Sequence, residues 1–99
     1  MENQKKHFFL RLLPPRPTFG LDMSESERAT MLQHVAYWSG FLAKGIAIVY
    51  GPVMDPNGIY GVAVVEVERE EELNELVAND PANGLNRYEI FPMRAVMKH

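Results

Sequence analysis

Apolar side chains recur along this chain at two different spacings, and the change from one to the other marks out its elements. From His7 to Leu13 nearly every position is apolar except Arg11, with Phe8, Leu10 and Leu12 on one side and Phe9 and Leu13 on the other. That is the pattern of a strand covered on both faces. Pro14-Pro15-Arg16-Pro17 ends it, because proline cannot donate to a ladder. The loop from Pro14 to Met23 is expected to be stiff and not helical, its prolines lowering the entropy of holding Arg16, Thr18 and Phe19 in one arrangement.

The spacing lengthens at Ser24. Ser24 with Glu27 three residues later makes a capping box. From there to Lys44, stepping by about 100° per residue, Met31, Val35, Trp38 and Leu42 fall along one line, with Leu32 on one flank and His34 and Phe41 on the other. The spacing predicts the longest helix of the chain, that line buried and His34 at its rim, with Gly45 as the stop. Ile46 to Tyr50 reads as a second strand and Asp55-Pro56-Asn57-Gly58 as a type I turn. Ile59 to Val67, rich in β-branched residues, returns antiparallel to it as the third. Arg69 to Asn79 reads as a shorter helix, with Glu70, Glu71 and Glu72 in the first turn where negative charge suits the dipole. Leu85 to Val96 supplies the last strand, in which Pro92 demands an edge or a bulge.

The order is βαββαβ. Right-handed crossovers interleave the two βαβ units into a four-stranded antiparallel sheet with both helices on one face, an α+β ferredoxin-like fold. Two helices cover only one face, yet the third strand is apolar in both directions: Tyr60, Val62 and Val64 one way, Ile59, Ala63, Val65 and Val67 the other. The expected cover for the second face is another copy of the chain, laid sheet to sheet as a homodimer.

Composition narrows the partners. Residues 1–99 are expected to form one domain, since the length is near the commonest domain size. A net charge of −3 with Lys and Arg scattered argues against nucleic acid. The element order is shared with RNA-binding RRM domains, but Gly58-Ile59-Tyr60-Gly61-Val62 lacks their stacking aromatics and Asn57 stands where a basic residue belongs. The polar start Met1 to Lys6 and the break at Arg11 fit neither a signal peptide nor a membrane span. With no cysteine in the chain, a cytoplasmic location is the expectation.

The candidate chemistry lies where the topology gathers loops. One end of the sheet collects Pro14 to Met23, Gly51 to Gly58, Asn79 to Gly84 and the helix face carrying His34, whose imidazole is the side chain that exchanges protons near neutrality. Asp80 follows a helix C-terminus, where a carboxylate opposes the dipole and asks for a partner. It also suits the cap of a turn running through Pro81 to Gly84, and one oxygen can cap while the other meets an imidazole. His34 is then a candidate general base or acid, Asp80 the group that fixes its tautomer, and Arg16 a candidate clamp for a phenolate or carboxylate. Phe19, Trp38 and Phe41 would wall a cavity, with Gly51 and Pro52 beside it. No His, Asp or Glu spacing suggests a metal site, and no cofactor is called for.

Pro14-Pro15-Arg16-Pro17-Thr18-Phe19, Asp22-Met23-Ser24, Met31 to Trp38, Gly51-Pro52-Val53-Met54-Asp55-Pro56, Asn79-Asp80-Pro81-Ala82 and Tyr88-Glu89-Ile90 together resemble the YciI-like (YCII-related) family over nearly the whole chain. The resemblance implies a dimeric α+β barrel and a catalytic histidine–aspartate pair, which maps onto His34 and Asp80. That family has been linked to a dehydrochlorinase of chlorinated hydroxyquinols and, by fold, to muconolactone isomerases. The implied chemistry is therefore acid–base proton transfer on a small cyclic or aromatic molecule. The loop bearing Arg16 is longer than in the shortest members, which leaves the substrate open. The alternative is a dimeric binding or structural module that holds a metabolite without transforming it.

Overall fold

The computed structural model describes residues 5–98, so most of the polar start of the chain lies outside the described residues. The elements run β1 (Lys6–Leu13), α1 (Phe19–Asp22), α2 (Glu25–Ala43), β2 (Ala47–Val53), β3 (Tyr60–Val67), α3 (Glu70–Ala78) and β4 (Arg87–Met93). The four strands form one sheet in the order β2-β3-β1-β4, every neighbouring pair antiparallel. This is the ferredoxin-like arrangement. Both prolines within strands, Pro52 in β2 and Pro92 in β4, lie in edge strands, where a missing N–H costs little.

One face of the sheet carries the core. Phe8, Leu10 and Leu12 of β1 and Ala63, Val65 and Val67 of β3 alternate onto it and are buried. Trp38 from α2 and Leu73 and Leu76 from α3 close over them. The other face carries Phe9, Val64 and Phe91 in one cross-strand row, flanked by a row with His7 and Glu66 and a row with Arg11 and Glu89. His7 meets Glu66 at 2.9 Å and Arg11 meets Glu89 at 3.1 Å. The expected doubly apolar sheet is thus apolar throughout on its inner face and banded on its outer one.

The α2 capping box is present as read, Glu27 N–H donating to Ser24 Oγ and the Ser24 N–H to Glu27. The buried line is not the expected one. Val35 and Leu42 remain 47% and 45% exposed, and the side facing the sheet is His34, Tyr37, Trp38 and Phe41, itself an i, i+3, i+4, i+7 set. Polar handles turn the helix this way: Tyr37 OH donates to the Leu76 carbonyl at 2.6 Å, and Trp38 Nε1 donates to Asp80 at 3.1 Å. His34 is consequently on the inward side of α2 and not at its rim, its side chain 13% exposed.

Three boundaries also differ from the sequence reading. The Pro14–Met23 loop contains one helical turn, α1, held by Leu21 and Asp22 N–H groups donating to the Thr18 carbonyl. Proline restrains its own φ and the residue before it, so Phe19 onward is free to turn. β2 extends through Gly51 and Pro52 to Val53, and a bulge between Ala47 and Val49 breaks its period so that Ala47 and Tyr50, three apart, both face α2. β4 is shorter than expected, since Asn83, Gly84 and Asn86 hold a turn of their own before it starts. α1 packs against the β2–β3 connection: a Cβ on Gly20 would sit 2.9 Å from the Ile59 side chain, and Gly58, at φ +145, approaches the Pro17 carbonyl.

Candidate active site

A cavity of about 260 Å³ lies between the inner face of the sheet and α2. Its floor is Leu10, Leu12 and Ala63, its α2 wall Met31, His34 and Trp38, and its cover Phe19, Gly20 and Met23. Phe19 is 4% exposed, so the segment carrying α1 is packed over the cavity and does not hang free. An Arg16 clasp fixes that segment. Its Nη1 and Nη2 donate to the two oxygens of Glu27 at 3.0 and 2.8 Å, and its Nε donates to Asp22 Oδ1 at 2.9 Å. The hydrogen bonds from Arg16, then that from the Ser24 N–H, hold the Glu27 carboxyl down at about 2.

Behind the α2 wall sits Asp80, in the turn that follows α3, its side chain fully buried. A buried carboxylate is costly unless its lone pairs are filled, and here four donors converge on it. Ala82 N–H donates to Oδ1 at 2.9 Å, which is the capping role read from the sequence. Trp38 Nε1 donates to Oδ2 at 3.1 Å, and the Tyr88 hydroxyl donates to the same oxygen. His34 Nδ1 lies 3.0 and 2.9 Å from the two oxygens. Burial pushes the Asp80 carboxyl up, but the bonds from His34, Tyr88, Ala82 and Trp38 together outweigh it and hold the group below its ordinary value. Burial, reinforced by the bond to Asp80, pushes the Tyr88 phenol far above its ordinary range, so it stays a donor.

The electrostatics fix the imidazole. An ionised carboxylate can only accept, so His34 Nδ1 carries the hydrogen of that bond and Nε2 is the unprotonated nitrogen of the neutral ring. Nε2 has no hydrogen-bond partner among the described residues, and His34 lines the cavity. The arrangement can accept a proton from a molecule in the cavity, with the resulting imidazolium stabilised by Asp80. The Trp38 ring, 6.5 Å from the imidazole between centroids, packs beside it.

Of the residues singled out by sequence, His34, Phe19, Trp38, Gly51 and Pro52 all line the cavity, and Asp80 stands behind it in contact with His34. Arg16 and Phe41 do not line it: the Arg16 guanidinium is engaged by Glu27 and Asp22, and Phe41 packs against the core further along α2. Tyr88, read from the sequence only as part of the family-resembling segment Tyr88-Glu89-Ile90, was given no site role, although it both lines the cavity and donates to Asp80. Its signal was the β4 register: Tyr88 is opposite Leu12, so it shares the inner face. Tyr50 was hidden by the bulge, which brings its hydroxyl to the Val35 carbonyl and Ser39 of α2. Among the described residues no group of three His, Cys, Asp or Glu is arranged to hold a metal ion, and no helix is long and apolar enough to cross a membrane.

No curated protein matches the chain. The YCII-related domain does, over residues 7–94, which take in every strand and helix of the fold except Lys6 at the start of β1, together with His34 and Asp80, and the chain therefore belongs to the YCII-related family.

Proposed function

We propose that the protein is a small-molecule acid–base enzyme in which His34 moves a proton to and from a substrate held in the cavity. The observation that carries this reading is the four-donor environment of Asp80, which keeps the carboxylate charged, commits His34 Nδ1 to it and leaves Nε2 of this cavity-lining ring without a partner among the described residues. Asp80 then acts as a positioning residue, stabilising the imidazolium, while His34 alone touches the reacting atom. Removal of a proton beside a carbonyl or a leaving group, followed by its return elsewhere or by elimination, is the reaction class this supports, of isomerase or lyase type. Incubating the protein in D₂O with a panel of cyclic enones, lactones and halogenated phenols tests it. Wild type should incorporate deuterium into at least one compound, and His34→Gln should not. Equal incorporation with and without His34 would leave a module that binds a metabolite without transforming it.

We propose further that the outer sheet face docks a second copy of the chain. The row of Phe9, Val64 and Phe91 supplies an apolar centre, with Phe91 46% exposed and its ring 6.3 Å from that of Phe9. The flanking Arg11–Glu89 and His7–Glu66 rows carry both signs of charge, so a two-fold axis can set each against its complement. A cytoplasmic location accords with the absence of cysteine.

A further inference from the structure

The cavity's wall specifies the charge of what enters it. Among the described residues no lysine, arginine, aspartate or glutamate lines it, and His34 is its one imidazole. Most of the polar groups around it are already engaged with the protein: Tyr88 and Trp38 donate to Asp80, Tyr50 bonds to the Val35 carbonyl, and Asn86 Nδ2 donates to the Ala82 carbonyl, while the Tyr60 ring is covered by Arg11. The nearest candidate anion clamp in the cover, Arg16, is neutralised by two carboxylates. Behind the α2 wall the formal charge is negative, that of Asp80, and the cation behind the sheet, Arg11 against the Tyr60 ring, is paired with Glu89. An anion entering this space would give up its hydration with no unpaired lysine or arginine to replace it, facing a buried carboxylate.

Size adds a second constraint. An apolar cavity of about 150 Å³ lined by Leu, Ile and Phe holds benzene, so the 260 Å³ here fits one ring with a few substituents. Resting on the acid–base reading of His34, we infer that the ligand is an uncharged, compact, largely apolar ring compound, and that the cavity rejects carboxylates and other anions of the same size. An anion arises in the site only when the ligand hands its proton to His34, at which point the imidazolium is its partner.

The chain's single tryptophan, Trp38, lines the cavity and reports occupancy by fluorescence. Titrations at pH 7 with benzyl alcohol and with benzoate compare one ring in neutral and anionic form. Amide shifts at Gly51, Ile59 and Gly61, which also line the cavity, locate the binding. Benzyl alcohol should saturate with shifts at those amides, and benzoate should bind at least about tenfold more weakly. Benzoate binding as tightly as the alcohol, or no localised binding of the alcohol, overturns the inference. His34→Gln separates the two claims: it should still bind benzyl alcohol. If that binding persists while deuterium incorporation is unchanged by the substitution, the acid–base reading falls and the ligand class stands.

Discussion

His34 Nδ1 lies 2.9 Å from Oδ2 of Asp80 across 46 residues of chain, and no other titratable side chain among the described residues is hydrogen-bonded to that imidazole. The contact exists because α2 presents its aromatic side to the sheet, while the turn after α3 folds its carboxylate inward beneath Trp38 and Tyr88. The imidazole's orientation thus depends on a carboxylate that is itself held by three further donors.

That dependence makes Asp80 costly to replace. Asp80→Ala strands the Tyr88, Ala82 and His34 donors around a buried site and should lower stability by about 3–5 kcal/mol in urea denaturation. Asp80→Asn keeps the Ala82 cap but turns an amide NH₂ toward other donors, so its loss should exceed the about 1 kcal/mol typical of a cap alone.

The same network sets a pH window for stability. The Asp80 carboxyl is held below its ordinary value of 3.8, so the folded state binds this proton less readily than the unfolded chain. Its stabilisation is therefore complete above that ordinary value and is lost as pH falls through the lowered one. The Tyr88 phenol is raised above its ordinary 10.0, so its contribution is complete below that pH and is lost on going further alkaline. Tyr88→Phe should leave thermal stability flatter on the alkaline side and cost about 1–2 kcal/mol near neutrality.

Arg16 is expected to act on the cover and not on the ligand. Arg16→Ala removes its bonds to Glu27 and Asp22, and amide hydrogen exchange at Phe19, Leu21 and Asp22 should accelerate by about tenfold or more. Exchange confined to wild-type rates would mean that Phe19 burial alone seats the segment.

Much of this was legible in the sequence, and the parts that were not share a cause. The strand topology, the capping box and the edge position open to Pro92 follow from periodicity and crossover handedness, which are local or topological rules, while the pairing of His34 with Asp80 rested on the gathering of loops together with the family resemblance. The rotation of α2 was not legible, because Val35 and Leu42 are as apolar as Tyr37 and Phe41 and only the interior partners of Tyr37 and Trp38 decide between the two faces. The Tyr50 position depends on a bulge that no residue type announces. Arg16 looked like a free cation because Asp22 and Glu27 are remote enough in sequence to appear unrelated to it.

The proposed dimer has a sharp test in adjacent residues. Val64 faces outward and Val65 is fully buried in the core. Val64→Glu should give a folded monomer by analytical ultracentrifugation, whereas Val65→Glu should unfold the chain. A wild-type monomer at micromolar concentration would remove the sheet-to-sheet assembly.

Asp80 holds His34 with its hydrogen on Nδ1, which leaves Nε2 as the unprotonated nitrogen of the neutral ring. Nitrogen-15 NMR of the imidazole reads this without any substrate. In the neutral ring, His34 should show a protonated Nδ1 and an unprotonated Nε2, and in folded Asp80→Asn that preference should weaken or reverse. A neutral His34 protonated on Nε2 in the wild type, or the same tautomer with and without the Asp80 carboxylate, would contradict the account.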